Sequence, residues 1–267
     1  EDVTEASGAN PLGWFWGSGF ADFDNDGWLD IYSANGWVYN DAGTEIELEF
    51  LDNVVSRQDL YKTGLFFDPA HFGRRSWHGH ERTRYLRNKG DGTFLELGRA
   101  AGNDLLLNSR GIAVADFWNR GVLDIAVAAS TDRHALLKNE VGTRRHWLAL
   151  DLVGQRSNRD AVGARVLVRT GERRQMREVV LGDGYGSQNS LRQYFGLGEA
   201  ATVDELTVYW PTTGVTQSFQ DVAADRILEL TEGCADPEER VYAARAQEGE
   251  RHETRRVGGP AGGRGRA

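Results

Sequence analysis

The chain repeats itself. Residues 21–31, ADFDNDGWLDI, align without a gap onto residues 115–125, ADFWNRGVLDI, at a constant offset of 94. The register holds upstream, with Ala6 on Ala100, Gly8 on Gly102 and Gly17 on Gly111, and downstream, with Ala34 on Ala128. Matched glycines imply matched turns, because glycine reaches positive φ without steric cost. Each copy reads as strand, tight loop, strand: 18–23, 24–27 and 29–33 in the first, and 112–117 resuming at 123–128 in the second.

Composition narrows the setting of that repeat. Glycine is abundant at 33 residues and proline scarce at 5, and the glycines cluster between short apolar runs, as in an all-β chain. Hydrophobic residues make up 40% of the 267, enough for a folded body of one large or two small domains. The formal charge of −9 argues against wholesale phosphate binding, and so against nucleic acid as a partner. The sequence contains no apolar run of membrane-spanning length. One cysteine, Cys234, excludes an internal disulfide framework. The numbering opens at Glu1 without Met or an apolar leader, which reads as a processed form or a fragment.

Between the two copies, residues 37–83 have a different character. Within 44–62, apolar residues at 46, 50, 54, 55 and 60 give partly helical spacing, so a helical insert between repeat units is expected. From His146 onward, the runs WLALDLV, ARVLVR and ELTVYW alternate with Gly, Asn and Asp turns. That pattern predicts a small β-sandwich over 146–232, anchored by Trp147, Tyr194, Phe195 and Trp210. Residues 233–267 carry too little apolar content for a core and are expected to be a disordered tail, with a fraying helix around 237–247.

One motif carries strong chemistry. Asp22, Asp24, Asp26 and Asp30 sit in D-F-D-N-D-G-W-L-D. Four carboxylates in so short a loop repel one another unless a cation neutralises them. Hard oxygen ligands at alternate positions suit Ca²⁺, with Gly27 allowing the turn, Trp28 offering its backbone carbonyl and Asp30 closing the shell. Mg²⁺ fits less well because it demands stricter octahedral geometry. The loop is not an EF-hand, since its twelfth position is Ser33 rather than Glu. The bland alternative is a solvated acidic turn. In the second copy Trp118 and Arg120 replace the middle carboxylates, while Asp116 and Asp124 remain. Arg120 is expected to stand between those two in place of a metal, giving one Ca²⁺ loop and one metal-free loop.

These residues carry a family resemblance. The loop D-x-D-x-D-G-x-x-D, with GDGTF at 90–94, resembles the FG-GAP or VCBS-type β-propeller repeats. SNRDAVGARVLV (157–168), GDGYGSQNS (182–190), FGLG (195–198) and VYWPTTG (208–214) resemble the ASPIC/UnbV domain. The order is that of the cartilage acidic protein family and its bacterial relatives. The resemblance implies an all-β fold: a partial propeller over 1–145, with a helical insert, followed by the sandwich. It also implies a calcium-binding protein that is secreted, periplasmic or at the cell surface, and it implies no reaction. Propellers close with about 4–8 blades, and 1–145 has room for fewer, so a C-terminal fragment of a longer propeller is expected.

Weaker signals remain. His71, His78 and His80 beside Glu81 could ligate a transition metal, but more often form a polar loop. Trp14, Phe15, Trp16, Trp28 and Trp37 could stack on sugars or serve as core. The loop 182–189 is either a binding loop or a turn on which Tyr185 packs. Ser187 lacks a nucleophile elbow, Cys234 sits at the edge of the tail, and no phosphate loop exists. The leading expectation is a calcium-binding interaction or adhesion module without intrinsic catalysis, binding an extracellular protein or glycan. The alternatives are an enzyme acting on carbohydrate or a secondary metabolite at a pocket between propeller and sandwich, and a purely structural scaffold.

Overall fold

The computed structural model describes residues 1–10, 13–37, 46–64, 75–79, 81–130 and 133–242. Among these residues the fold is all-β with a few short helices, and the sheets do not close into a barrel. The first sheet runs in antiparallel order through β1 (Phe15–Ala21), β2 (Asp30–Asn35), β3 (Arg84–Asn88) and β4 (Phe94–Glu96). The second holds β5 (Ser109–Ala115), β6 (Asp124–Ala129) and β7 (Ala135–Leu137). β5 and β6 fall on β1 and β2 at the offset of 94. Even the register irregularities coincide, between Phe15 and Ser18 in one copy and Ser109 and Ile112 in the other. The turns coincide too: Asn25 and Asn119 both take positive φ, at 54° and 51°.

The insert corrects one expectation. Two helices, Glu47–Ser56 and Gln58–Thr63, do fall on the expected helical stretch. They lie inside the first unit, between β2 and β3, and not between units. Residues 36–83 make that connection in the first unit, while residues 130–134 suffice in the second. The two units share one core, in which Tyr32, Phe23 and Tyr85 meet Ile112, Val114, Leu123, Ile125 and Val127.

A sandwich follows directly. One sheet has the order β10 (Arg173–Glu178), β9 (Arg165–Thr170), β12 (Thr202–Tyr209), β13 (Thr216–Ala223). The other has β11 (Gln193–Gly198), β8 (His146–Val153), β14 (Arg226–Thr231), β15 (Glu238–Glu239). β14 runs parallel to β8, from Arg226 opposite Leu148 to Thr231 opposite Val153. Alternation buries Val166 and Val168 of β9 and Leu206 and Val208 of β12 against Leu148, Leu150, Phe195 and Trp210.

Two of the four expected anchors belong elsewhere. Phe195 and Trp210 are in the sandwich core, but Tyr194 packs on the core of the repeat units. Trp147 lies against Gly121, in the loop of the second unit. The expected disordered tail is also corrected over 233–242, where Glu238 and Glu239 pair with Glu229 and Leu228 as an edge strand, not a helix. Arg240 bonds Glu229, and Tyr242 meets Arg192 and Asp151. The rest of the tail, 243–267, lies outside the described residues.

Candidate metal centre

The acidic loop joins β1 to β2, and its carboxylates divide into two kinds. Asp22 is tied to the loop backbone: Oδ1 accepts the Asp26 N–H at 3.0 Å and Oδ2 the Gly27 N–H at 2.7 Å. Asp30 is tied as well. Its Oδ1 accepts the Asn88 N–H at 2.8 Å, and its Oδ2 accepts the Tyr85 hydroxyl at 3.0 Å and the Phe23 N–H at 3.3 Å. The second unit repeats this frame. Asp116 accepts the N–H groups of Arg120 and Gly121 at 2.9 and 2.6 Å, and Asp124 accepts those of Phe117 and Asn139 at 3.3 and 2.8 Å. Asn88 and Asn139 match too, each donating its side-chain amide at 3.0 Å to a loop carbonyl, Leu29 or Leu123.

The middle carboxylates differ. Asp22, Asp24 and Asp26 bring ligand oxygens within 4.8 Å of one another, the only such group among the described residues. Asp24 is 7% exposed, and its Oδ1 is buried without a hydrogen-bond partner. Asp24 Oδ2 receives Arg87 at 2.8 Å and Arg145 at 3.0 Å, and Arg87 also reaches Asp26 Oδ2 at 3.0 Å. Of the expected ligand set, Asp30 stands outside the three-carboxylate group. Trp28 presents its indole to Arg173, whose guanidinium carbon lies 4.3 Å from the ring centroid.

Burial dominates the electrostatics here. It pushes Asp22 up to about 7, helped by the neighbouring Asp26, Asp24 and Asp30, and it pushes Asp30 up to about 7 as well. Asp26 is raised by the same cause. Arg87 and Arg145 reach Asp24 Oδ2 and leave its Oδ1 without a partner. An orphaned, buried carboxylate oxygen in an all-oxygen donor set fits a hard cation. In the second unit the Arg120 guanidinium pairs with Asp124 alone of the two expected carboxylates: Nη2 lies 2.8 Å from Asp124 Oδ1, with Nη1 on the Asn139 carbonyl at 3.1 Å and the Trp118 ring at 5.3 Å, while Asp116 takes from Arg120 only its backbone N–H.

The loop is also the joint of the molecule. The Asn25 amide donates to the carbonyls of Gly121 and Gly142, at 2.9 and 3.0 Å, and its own carbonyl receives the Gly198 N–H at 2.9 Å. Arg173 donates to the Asp26 carbonyl. Gly196, in the F-G-L-G run, has to be glycine: a Cβ there would collide with the Asp22 carboxylate and the Asn25 backbone. Sequence reading missed Arg87, Arg145 and Arg173. They reach the loop from three distant stretches, and nothing local distinguishes them from the other arginines.

Other expected residues sort as follows. Trp14 stacks on Trp37 at 4.4 Å, Trp37 meets Trp77 at 4.0 Å, and Tyr185 closes on Trp16 at 4.9 Å. Trp28 stands apart from this column. The loop 182–189 docks on β5, where Asn189 Oδ1 accepts the Val114 N–H at 2.7 Å while Asp183 holds the Asn189 amide. His78 lies 2.6 Å from Glu81, while His71 and His80 fall outside the described residues. A small cavity of about 150 Å³ at the junction is lined by Asp22, Arg177, Asp183, Arg192 and Tyr194, among others. Among the described residues no helix is long and apolar enough to cross a membrane.

Residues 154–237 match the protein family described as ASPIC and UnbV. The match spans most of the sandwich and leaves the repeat units outside it. Among curated proteins, none matches the chain.

Proposed function

We propose that this chain is a calcium-binding interaction module of a secreted, periplasmic or cell-surface protein, and that its two repeat units are FG-GAP-type propeller blades docked on an ASPIC/UnbV sandwich. The observation that carries the metal reading is the unpartnered, buried Asp24 Oδ1 within the three-carboxylate group. Asp22, Asp24 and Asp26 would hold the ion, with Asp30 and the Trp28 carbonyl nearby in sequence. Bound Ca²⁺ supplies positive charge and fixes the loop against both the second unit and the sandwich. The blade reading is supported by the repeated strand order, the shared loop frame and the D-x-D-x-D-G-x-x-D motif.

The junction itself offers little room for an enzyme site placed between the repeat units and the sandwich. Its cavity of about 150 Å³ falls below the roughly 300–1,000 Å³ usual for small-molecule sites. The test is thermal unfolding in millimolar Ca²⁺, in Mg²⁺ and in EDTA. A Ca²⁺-specific rise in midpoint that disappears in Asp24→Asn supports the reading. An unchanged midpoint sinks it.

A further inference from the structure

The strap that leads from the repeat units into the sandwich is held at two points, and both lie on the acidic loop. It comprises the turn Gly142–Arg144 and Arg145, the residue before β8. Gly142 is the first point. Its carbonyl accepts the Asn25 amide at 3.0 Å, and a Cβ there would stand 2.9 Å from the Phe23 carbonyl. Arg145 is the second. Its Nη1 donates to the Asp24 backbone carbonyl at 3.0 Å, and the same nitrogen lies 3.0 Å from Asp24 Oδ2 and 3.8 Å from Asp26 Oδ2. One nitrogen of a cationic side chain thus stands among three oxygens of the loop, a carbonyl and two carboxylate oxygens.

The two arginines that serve this loop are mounted differently. Arg87 belongs to β3, whose backbone pairs on one side with β2 and on the other with β4. It grips two carboxylates with two nitrogens: Nε donates to Asp24 Oδ2 at 2.8 Å and Nη2 to Asp26 Oδ2 at 3.0 Å. Arg145 lies outside any strand, and its contacts with the loop run through Nη1 alone. In the second unit Arg120 also uses two nitrogens, one on Asp124 and one on the Asn139 carbonyl. Of these three cations Arg145 is the one with the least to hold it.

We infer that Arg145 is a resident counter-ion of the acidic loop and that a divalent cation entering the loop expels it, so that loading frees the second anchor of the strap. The inference rests on the metal reading above and adds to it the group that the ion must displace. Ca²⁺ draws on about 6–8 oxygens. The oxygens around Nη1 belong to Asp24 and Asp26, two of the three carboxylates able to hold it. A guanidinium among those oxygens and an ion drawing on them repel each other, and the side chain held by one nitrogen is the one that leaves. The loop keeps its grip on both neighbours through Asn25, whose amide stays on Gly121 and Gly142 and whose carbonyl stays on Gly198. The strap passes from two anchors to one. By reciprocity, lifting the strap off the loop tightens the hold on the ion.

The first measurement needs no variant: phenylglyoxal labelling of the full, unsubstituted chain, read residue by residue by mass spectrometry in EDTA and in saturating Ca²⁺. Labelling of Arg145 should rise with Ca²⁺, while that of Arg87 stays level. The second is calorimetric titration of Ca²⁺ into the parent, Arg145→Gln and Arg144→Gln. Arg145→Gln should bind about fivefold tighter or more. Arg144→Gln removes the same charge from an exposed neighbour on the strap, so it should shift affinity by less than about twofold through a screened field. Binding detected only in Arg145→Gln also supports the inference, since the resident cation then blocks the loop outright. Equal affinity in the parent and Arg145→Gln, equal tightening by Arg144→Gln, or unchanged Arg145 labelling with Ca²⁺ bound overturns this inference and leaves the metal reading standing. Absence of binding in all three chains removes both.

Discussion

At the same point in the two repeat units, one loop gathers three carboxylates and the other is stapled by its own arginine. The backbone frame around that point is shared. The first aspartate of each loop collects two backbone N–H groups, the last collects two more, and an asparagine from the following strand locks the turn. The nine-residue motif therefore holds two separate jobs. Asp22 and Asp30 build the turn whether or not a cation is present, as Asp116 and Asp124 do without one. Asp24 and Asp26 complete the three-carboxylate group that could hold a cation, and Trp118 and Arg120 stand in their places in the second loop. A repeat can thus differ at its middle carboxylates and keep its turn.

The strongest test of that division is Asp22→Ala against Asp116→Ala. Each strands two loop N–H groups, so each should cost about 2–4 kcal/mol in urea unfolding. A large loss at Asp22 with none at Asp116 would break the equivalence of the frames.

Titration sharpens a second contrast, between the acidic loop and the sandwich. Asp22 and Asp30 stand near 7 in the fold, above the ordinary value near 4. In EDTA their contribution is whole below about pH 4 and is lost as pH rises to about 7. Glu232 behaves in the opposite sense. Burial opposes its ionisation, but the Thr213 hydroxyl and the N–H groups of Ser157, Arg156 and Gln155 outweigh that and hold it at about 2. Its contribution is present above about pH 4.5 and is lost as pH falls toward 2. Hydrogen exchange resolved by half should show the repeat units loosening toward neutral pH and the sandwich loosening in acid. Glu232→Gln should abolish the acid effect alone.

Trp118→Asp combined with Arg120→Asp should convert the second loop into the first. At ten times its dissociation constant, Ca²⁺ should then stabilise this variant by about 1.4 kcal/mol beyond the parent. No added Ca²⁺ response would show that the four carboxylates of the motif are not sufficient for binding. The smallest effect belongs to Arg145→Gln. It removes a partly exposed ion pair to Asp24, so it should cost about 1 kcal/mol without metal. By removing a competing cation it should tighten Ca²⁺ binding, read by calorimetry.

Much of the repeat was legible because its determinants are local. Paired asparagines and glycines at positive φ, and aspartates bonding N–H groups four and five residues on, leave their mark at fixed spacing. The equivalence of β3 and β7 was not legible, because the insert in the first unit shifts their offset away from 94. Tyr194 looked like a sandwich anchor because it is aromatic, yet it adjoins Phe195 on β11 and so points to the opposite face, and nothing local says what lies across that face. The pairing of Glu238 and Glu239 was hidden for a similar reason: an edge strand needs backbone partners, not apolar side chains. The three arginines at the acidic loop are a tertiary fact with no local signal.

The parallel pairing of β14 with β8 has a mechanical meaning. The chain enters this pair at His146, straight from the second repeat unit, and leaves it beyond Thr231, at the opposite end of the two strands. A pull transmitted between the repeat units and whatever follows the sandwich would load the ladder lengthwise. Its evenly spaced hydrogen bonds would then have to slide and fail together, because tension along the strands cannot peel them apart one by one. Such a sandwich would behave as a clamp in series with the repeat units, holding under load while weaker attachments on either side give way first.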